Sequence, residues 1–146
     1  MVFLSVPLGA MRKVFDINTI GPALIAKHFL PKMRKNAKSV FAALSARVGS
    51  IGDNRLGGWY SYRASKAAAN QIVHGAAIEI GRKRKEAVVV ALHPGTVATG
   101  LSEPFAAERD RFTPAQSAGK MLAVLERLTP DDSGGFFAYD GSPIPW

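Results

Sequence analysis

The chain has 146 residues, which suits one domain and allows roughly two-thirds of its surface to be buried. A hydrophobic share of 47% is ordinary for a globular protein, and the absence of cysteine excludes a disulfide framework and a thiolate metal site. The formal charge of +8 raises the question of polyanions. However, the densest basic run, Arg82-Lys83-Arg84-Lys85, falls between a helical and an extended segment, where a solvated turn is charged anyway. No aromatic interleaving or nucleic-acid motif accompanies it, so a nucleic-acid partner is not expected and an anion-binding basic module is the weakest of three functional readings.

Residues 1–10 lack a period, and Pro7 and Gly9 predict a loop. The apolar opening Met1 to Met11 is followed, not preceded, by Arg12 and Lys13, which argues against a signal peptide. From Met11 to about Arg34, apolar residues recur at three- and four-residue spacing and predict a helix, with Asn36 as its stop. Gly21-Pro22 lies inside it. Proline has no N–H, so the carbonyl of Asn18 loses its helical donor. A simple kink and a water held at Asn18 are both open readings.

Ser39 to Leu44 reads as a strand buried on both faces. It runs into the Ser- and Gly-rich segment 45–52 and then turn residues to Gly58. Such loops at strand carboxyl ends are where α/β folds place ligands, although Gly49-x-x-Gly52 is not a dinucleotide fingerprint. A helix over 61–80 follows, with a side of small residues that includes Ala64, Ala68 and Ala76, and with Gly81 as its C′ residue. At its start Tyr62 and Lys66 are four apart and share a face. An ammonium beside a phenol favours the phenolate and brings the proton into a usable range.

Ala87 to Leu92 is a second apolar strand, far too short to span a bilayer, ending at His93-Pro94-Gly95. Residues 101–111 predict a mobile loop with a short helix. Thr113-Pro114-Ala115-Gln116 is a helix start with N-cap, N1 proline and N3 glutamine. That helix runs to about Leu128, and a last short strand covers 135–139. Asp131 and Asp132 are turn residues, and the three histidines lack metal spacing, so no metal site is expected. The pattern is α/β in one domain over 1–146.

Together, Phe15-Asp-Ile-Asn-Thr-Ile-Gly-Pro22, Leu44-Ser-Ala-Arg-Val-Gly-Ser-Ile51, Tyr62-Arg-Ala-Ser-Lys66 and His93-Pro-Gly-Thr-Val-Ala-Thr99 resemble the short-chain dehydrogenases/reductases. The likeness is to carbonyl-reductase-like members related to the C-factor cell-signalling proteins. It covers about residues 11–146, the carboxyl-terminal half of that domain, and implies a partial Rossmann (doubly wound) sheet of about three parallel strands. The resemblance implies an NAD(P)-dependent oxidoreductase acting on a small-molecule carbonyl or alcohol; a cytoplasmic location with no membrane partner is the expectation from the lack of a signal-peptide pattern and of a spanning apolar run. Its cofactor would be NAD or NADP, with NADP favoured. Tyr62 would be the acid/base and Lys66 its pKa partner and ribose ligand. Asn18 would hold a relay water. Pro94, Gly95, Val97 and Thr99 would meet the nicotinamide. A homodimer through residues 11–34 and 61–80 is also implied.

Two departures accompany the likeness. The family's second serine after the strand corresponds to Ala46, so Ser45 or Ser50 would have to replace it, Ser45 being preferred. The family's Thr-Gly-x-x-x-Gly-x-Gly turn is missing. The alternative reading is therefore a catalytically inactive fragment that only dimerises or binds a partner.

Overall fold

A computed structural model describes residues 6–100 and 111–146. Three strands, β1 (Ser39–Leu44), β2 (Ala87–His93) and β3 (Phe136–Ala138), form a parallel sheet in the order β1-β2-β3. Alternate residues of β2 point to opposite faces. On one face Val89 and Ala91 join Phe136 and Ala138 in a core with Ala26, Leu30, Val73 and Ala77. On the other, Val88, Val90 and Leu92 pack against Val124 and Leu128. After α1 (Leu8–Phe15), the first face is covered by α2 (Gly21–Phe29) and α3 (Tyr60–Gly81), the second by α4 (Pro114–Arg127). This is the second half of a doubly wound α/β fold, as the sequence predicts. Burying each valine of β2 stabilises by about 1.5–3 kcal/mol.

β1 departs from expectation. Its composition matches β2, yet Val40 and Leu44 are 37% and 57% exposed while Val88 to Ala91 are 0% exposed. The reason is position: among the described residues β2 flanks β1 on one side only. The amides of Ser39 and Ser45 are directed at β2, bonding Glu86 O and Leu92 O. Alternation along the strand therefore turns the backbone groups of Val40, Ala42 and Leu44 to the open edge.

The first helical region also differs. It starts at Leu8 rather than Met11, because Pro7 occupies the N-cap, where a missing N–H leaves no helical bond unmade. The Gly21-Pro22 break is absorbed as a π-helical turn over Asp16–Ile20, in which the Gly21 N–H reaches back to Asp16 O. The helix ends in a 3₁₀ turn at Leu30–Lys32, before Asn36. Gly81 is the last residue of α3, not a left-handed residue beyond it. The Thr113 capping box forms as predicted, and Asp132 caps a 3₁₀ turn through Thr129. The loop expected over 101–111 lies, except for Arg111, outside the described residues. Among the described residues no helix is long and apolar enough to cross a membrane, and no cluster of metal-binding side chains occurs.

Candidate active site

The carboxyl ends of β1 and β2 carry the site. Beyond Leu44 the chain makes a 3₁₀ turn at Arg47–Gly49 that lies directly against α3. Gly49 is needed there, since a Cβ would sit 2.7 Å from Lys66 Cβ and 2.9 Å from its carbonyl carbon. Arg63 fixes the long loop to the start of α3 by donating to the carbonyls of Gly57, Gly58 and Val48 at 3.1–3.3 Å. Tyr62 and Lys66 thus stand half-buried in the first turns of α3, beside the strand ends.

Lys66 Nζ donates to Leu44 O at 3.1 Å, one of the backbone groups turned to the open edge. Burial holds the Lys66 ammonium below its ordinary pKa. Burial also pushes the Tyr62 phenol above its ordinary value. This corrects the expectation that Lys66 lowers Tyr62. The ammonium is spent on a carbonyl, and desolvation penalises both charged forms.

The π turn brings Asn18 and Thr19 onto α3. Asn18 Nδ2 donates to Ser65 Oγ at 3.2 Å, and Thr19 Oγ1 donates to Ser65 O at 2.8 Å. Ser65 Oγ donates in turn to Tyr62 O at 2.8 Å. The fully buried Ser65 therefore links Asn18 to the turn that bears Tyr62. The sequence reading missed Ser65, although a small polar residue just before Lys66 is the available signal.

Neither serine offered for the Ala46 position turns its hydroxyl proton to an open cleft. Ser45 is buried and donates to Asn70 Oδ1 at 2.6 Å. Ser50 is buried and donates to Pro145 O at 2.5 Å. Ser45 follows Leu44, which pairs with Leu92, so it stands beside His93. Here Asn70 Nδ2 and His93 Nδ1 are buried without partners. Burial, helped by Arg47 and opposed by Asp140, holds the His93 pKa down from 6.5 to about 4.

The segment after His93 is rigidly seated. Gly95 has φ +78°, and a Cβ there would lie 2.8 Å from the rings of Phe112 and Tyr139. Those rings meet edge to face at 4.8 Å. Phe112 N donates to Thr96 O and Ala98 N to Phe112 O, both at 2.9 Å. Ser117 Oγ donates to Pro94 O at 2.7 Å. Val97 is half-buried and Thr99 exposed. Tyr62, Lys66, Asn18, Ser45 and this segment therefore gather at one end of the sheet.

The profile of a family described as "Enoyl-(Acyl carrier protein) reductase" matches residues 2–139. The chain belongs to the short-chain dehydrogenase/reductase family. It is 38% identical over 142 residues to 1-hydroxy-2-glutathionyl-2-methyl-3-butene dehydrogenase of Rhodococcus sp. strain AD45, covering 97% of this chain and 61% of that protein. It is also 38% identical over 137 residues to C-signal of Myxococcus xanthus, covering 93% and 78%. The NADPH-bound carbonyl reductase from chicken fatty liver superposes with a TM-score of 0.85 at 32% identity, over 100% of this chain and 61% of that one. The chain thus spans about 61% of the length of two of these three short-chain dehydrogenase/reductase relatives.

Proposed function

We propose that this chain carries the proton-transfer and nicotinamide end of an NAD(P)-dependent oxidoreductase site that reduces a small carbonyl compound or oxidises the alcohol. One observation carries the reading: Tyr62 and Lys66 stand half-buried one helical turn apart at the carboxyl end of a parallel sheet, with Lys66 Nζ bonded to the last carbonyl of β1. At neutral pH the Tyr62 phenol carries its proton, which burial holds more tightly still, so its transfer to a carbonyl oxygen calls for the Lys66 ammonium to be brought beside it. In the alcohol direction the Tyr62 oxygen receives the proton.

Asn18 steadies the helix turn that bears Tyr62 through Ser65, and a relay water at Asn18 is the role its family position implies. The donor set fits the nicotinamide ribose: a phenol and an ammonium for a diol, with the 94–99 segment beside them. Lys66 would exchange Leu44 O for the ribose. When bound, NAD(P) supplies or takes the hydride. NADP is favoured because the chicken carbonyl reductase carries NADPH. The sequence has no Gly-x-x-x-Gly-x-Gly turn, so these residues do not fit the pyrophosphate.

The exposed stripe Ile17, Ile20 and Leu24 runs from the π turn into α2, which supports a homodimer through the first helical region and α3. The alternative, a fragment that dimerises without catalysis, is favoured by Ala46 and by the engagement of Ser45 and Ser50 elsewhere.

The test is NADPH oxidation against a panel of carbonyl compounds, by the chain joined to a glycine-rich dinucleotide half. Tyr62→Phe should lower turnover by at least about 100-fold with circular dichroism unchanged. Near-normal turnover of Tyr62→Phe rejects the acid/base role. A dimer with no turnover in either form supports the alternative.

A further inference from the structure

The positive charge of this protein is not spread over it. Segments 31–38 and 82–86 hold eight of the nineteen basic residues and one of the eleven acidic ones, a net +7 out of +8. Each segment leads directly into a strand, β1 or β2, and these strands are parallel, so both lie side by side at the amino end of the sheet. Arg84 ties them together, donating to Met33 O at 2.9 Å and Pro31 O at 2.5 Å. Lys38 is likewise occupied by the carbonyls of Leu125 and Glu126.

The other six, Lys32, Arg34, Lys35, Arg82, Lys83 and Lys85, are exposed. Among the described residues the one ion pair is Arg47–Asp53, at the other end of the sheet. Among the described residues these six exposed cations have no carboxylate within ion-pair distance. They sit at the far end of α3 from Tyr62, about 30 Å away for a 22-residue helix.

We infer that this end is a docking surface for an anionic phospholipid bilayer. Clusters of four to eight Lys or Arg side chains attract such surfaces. The patch consists of turns at a blunt end, with no helix or strand laid along it to enter a nucleic-acid groove. Its margin is apolar: Ile25 and Phe29, 53% and 57% exposed, form an i, i+4 ridge that leads into Lys32. Cations beside an exposed apolar ridge suit the headgroup level, where the ridge enters and the charges meet phosphate. Such docking leaves the Tyr62 end facing away from the membrane. It differs from the expectation of no membrane partner, because only the fold brings the two segments together.

The test is co-sedimentation of the full chain with phosphatidylcholine vesicles with and without phosphatidylserine, across a salt series. Binding should require phosphatidylserine and fade as salt rises. Lys35→Glu with Lys83→Glu should weaken it at least about tenfold. Phe29→Ser should also weaken it, with thermal melting of both variants retained. Absence of binding, equal binding to both vesicles, or insensitivity to the charge reversal overturns the inference. Displacement by duplex DNA or RNA at equal phosphate assigns the patch to nucleic acid and overturns it as well. Tyr62→Phe, which removes the acid of the proposed reaction, should leave vesicle binding unchanged, so the two readings stand or fall separately.

Discussion

Gly49→Ala should unfold the site from beneath Lys66. The added Cβ would lie 2.7 Å from Lys66 Cβ, 2.9 Å from Lys66 C and 3.2 Å from Ala67 N. Ordinary carbon contacts are about 3.5–4.0 Å, so the 3₁₀ turn must lift by roughly 1 Å. Two of the three obstructing atoms are helix backbone and cannot swing aside. Overpacking of this kind costs about 1–3 kcal/mol, which lowers the melting temperature of a chain this size by roughly 3–10 °C. Because the turn and Lys66 touch, the shift also displaces the ammonium, and a 1 Å misplacement near a reacting centre lowers turnover by up to about 100-fold. Gly75→Ala is the control. It lies in the same helix with nothing within 4 Å of the new methyl, so it should stabilise by about 0.5–1 kcal/mol. Thermal melting followed by circular dichroism reads both. A Gly49→Ala protein that melts at or above the parent would refute the close approach of turn and helix.

Stability should also fall with acid through His93. Its folded pKa is depressed from 6.5 to about 4, so the unfolded chain binds the extra proton first. The stability is complete above pH 6.5 and is lost as pH falls towards 4, by at most about 3 kcal/mol; His93→Asn should flatten that slope in urea titrations. Leu24→Arg should shift sedimentation towards monomer if the exposed stripe is the dimer face, and an unchanged dimer counts against it. Ala76→Arg would be a poorer test, since Ala76 packs against the core. Val40→Lys, on the open edge of β1, should suppress aggregation seen by light scattering while hardly moving the melting temperature.

The parts of the fold that read easily from sequence were those decided locally. The apolar run of β2, the Thr113 capping box and the period of α3 each state their structure within a few residues. β1 did not, because its burial depends on how many strands flank it rather than on its own residues. The π turn was half legible: Pro22 announced a break, but a bend and an inserted residue accommodate the missing N–H equally well. In the candidate site, the shared helix face of Tyr62 and Lys66 was readable from their spacing, whereas the direction of the Tyr62 shift was not. It turns on where the Lys66 ammonium points and how far burial removes water. Ser65, Asn70 and Arg63 act through contacts 15 to 47 residues away in sequence, beyond any local pattern.

The proposed division of labour is that Tyr62, Lys66 and the 94–99 segment serve the nicotinamide end, while no residue of this chain serves the pyrophosphate. Isothermal titration of NADPH and NADH into the monodisperse 146-residue chain tests it most directly. The expected result is no binding, or binding weaker than about 100 μM, for either cofactor. Low-micromolar binding of either would contradict it and would mean that another part of this chain, or a second copy, holds the phosphates.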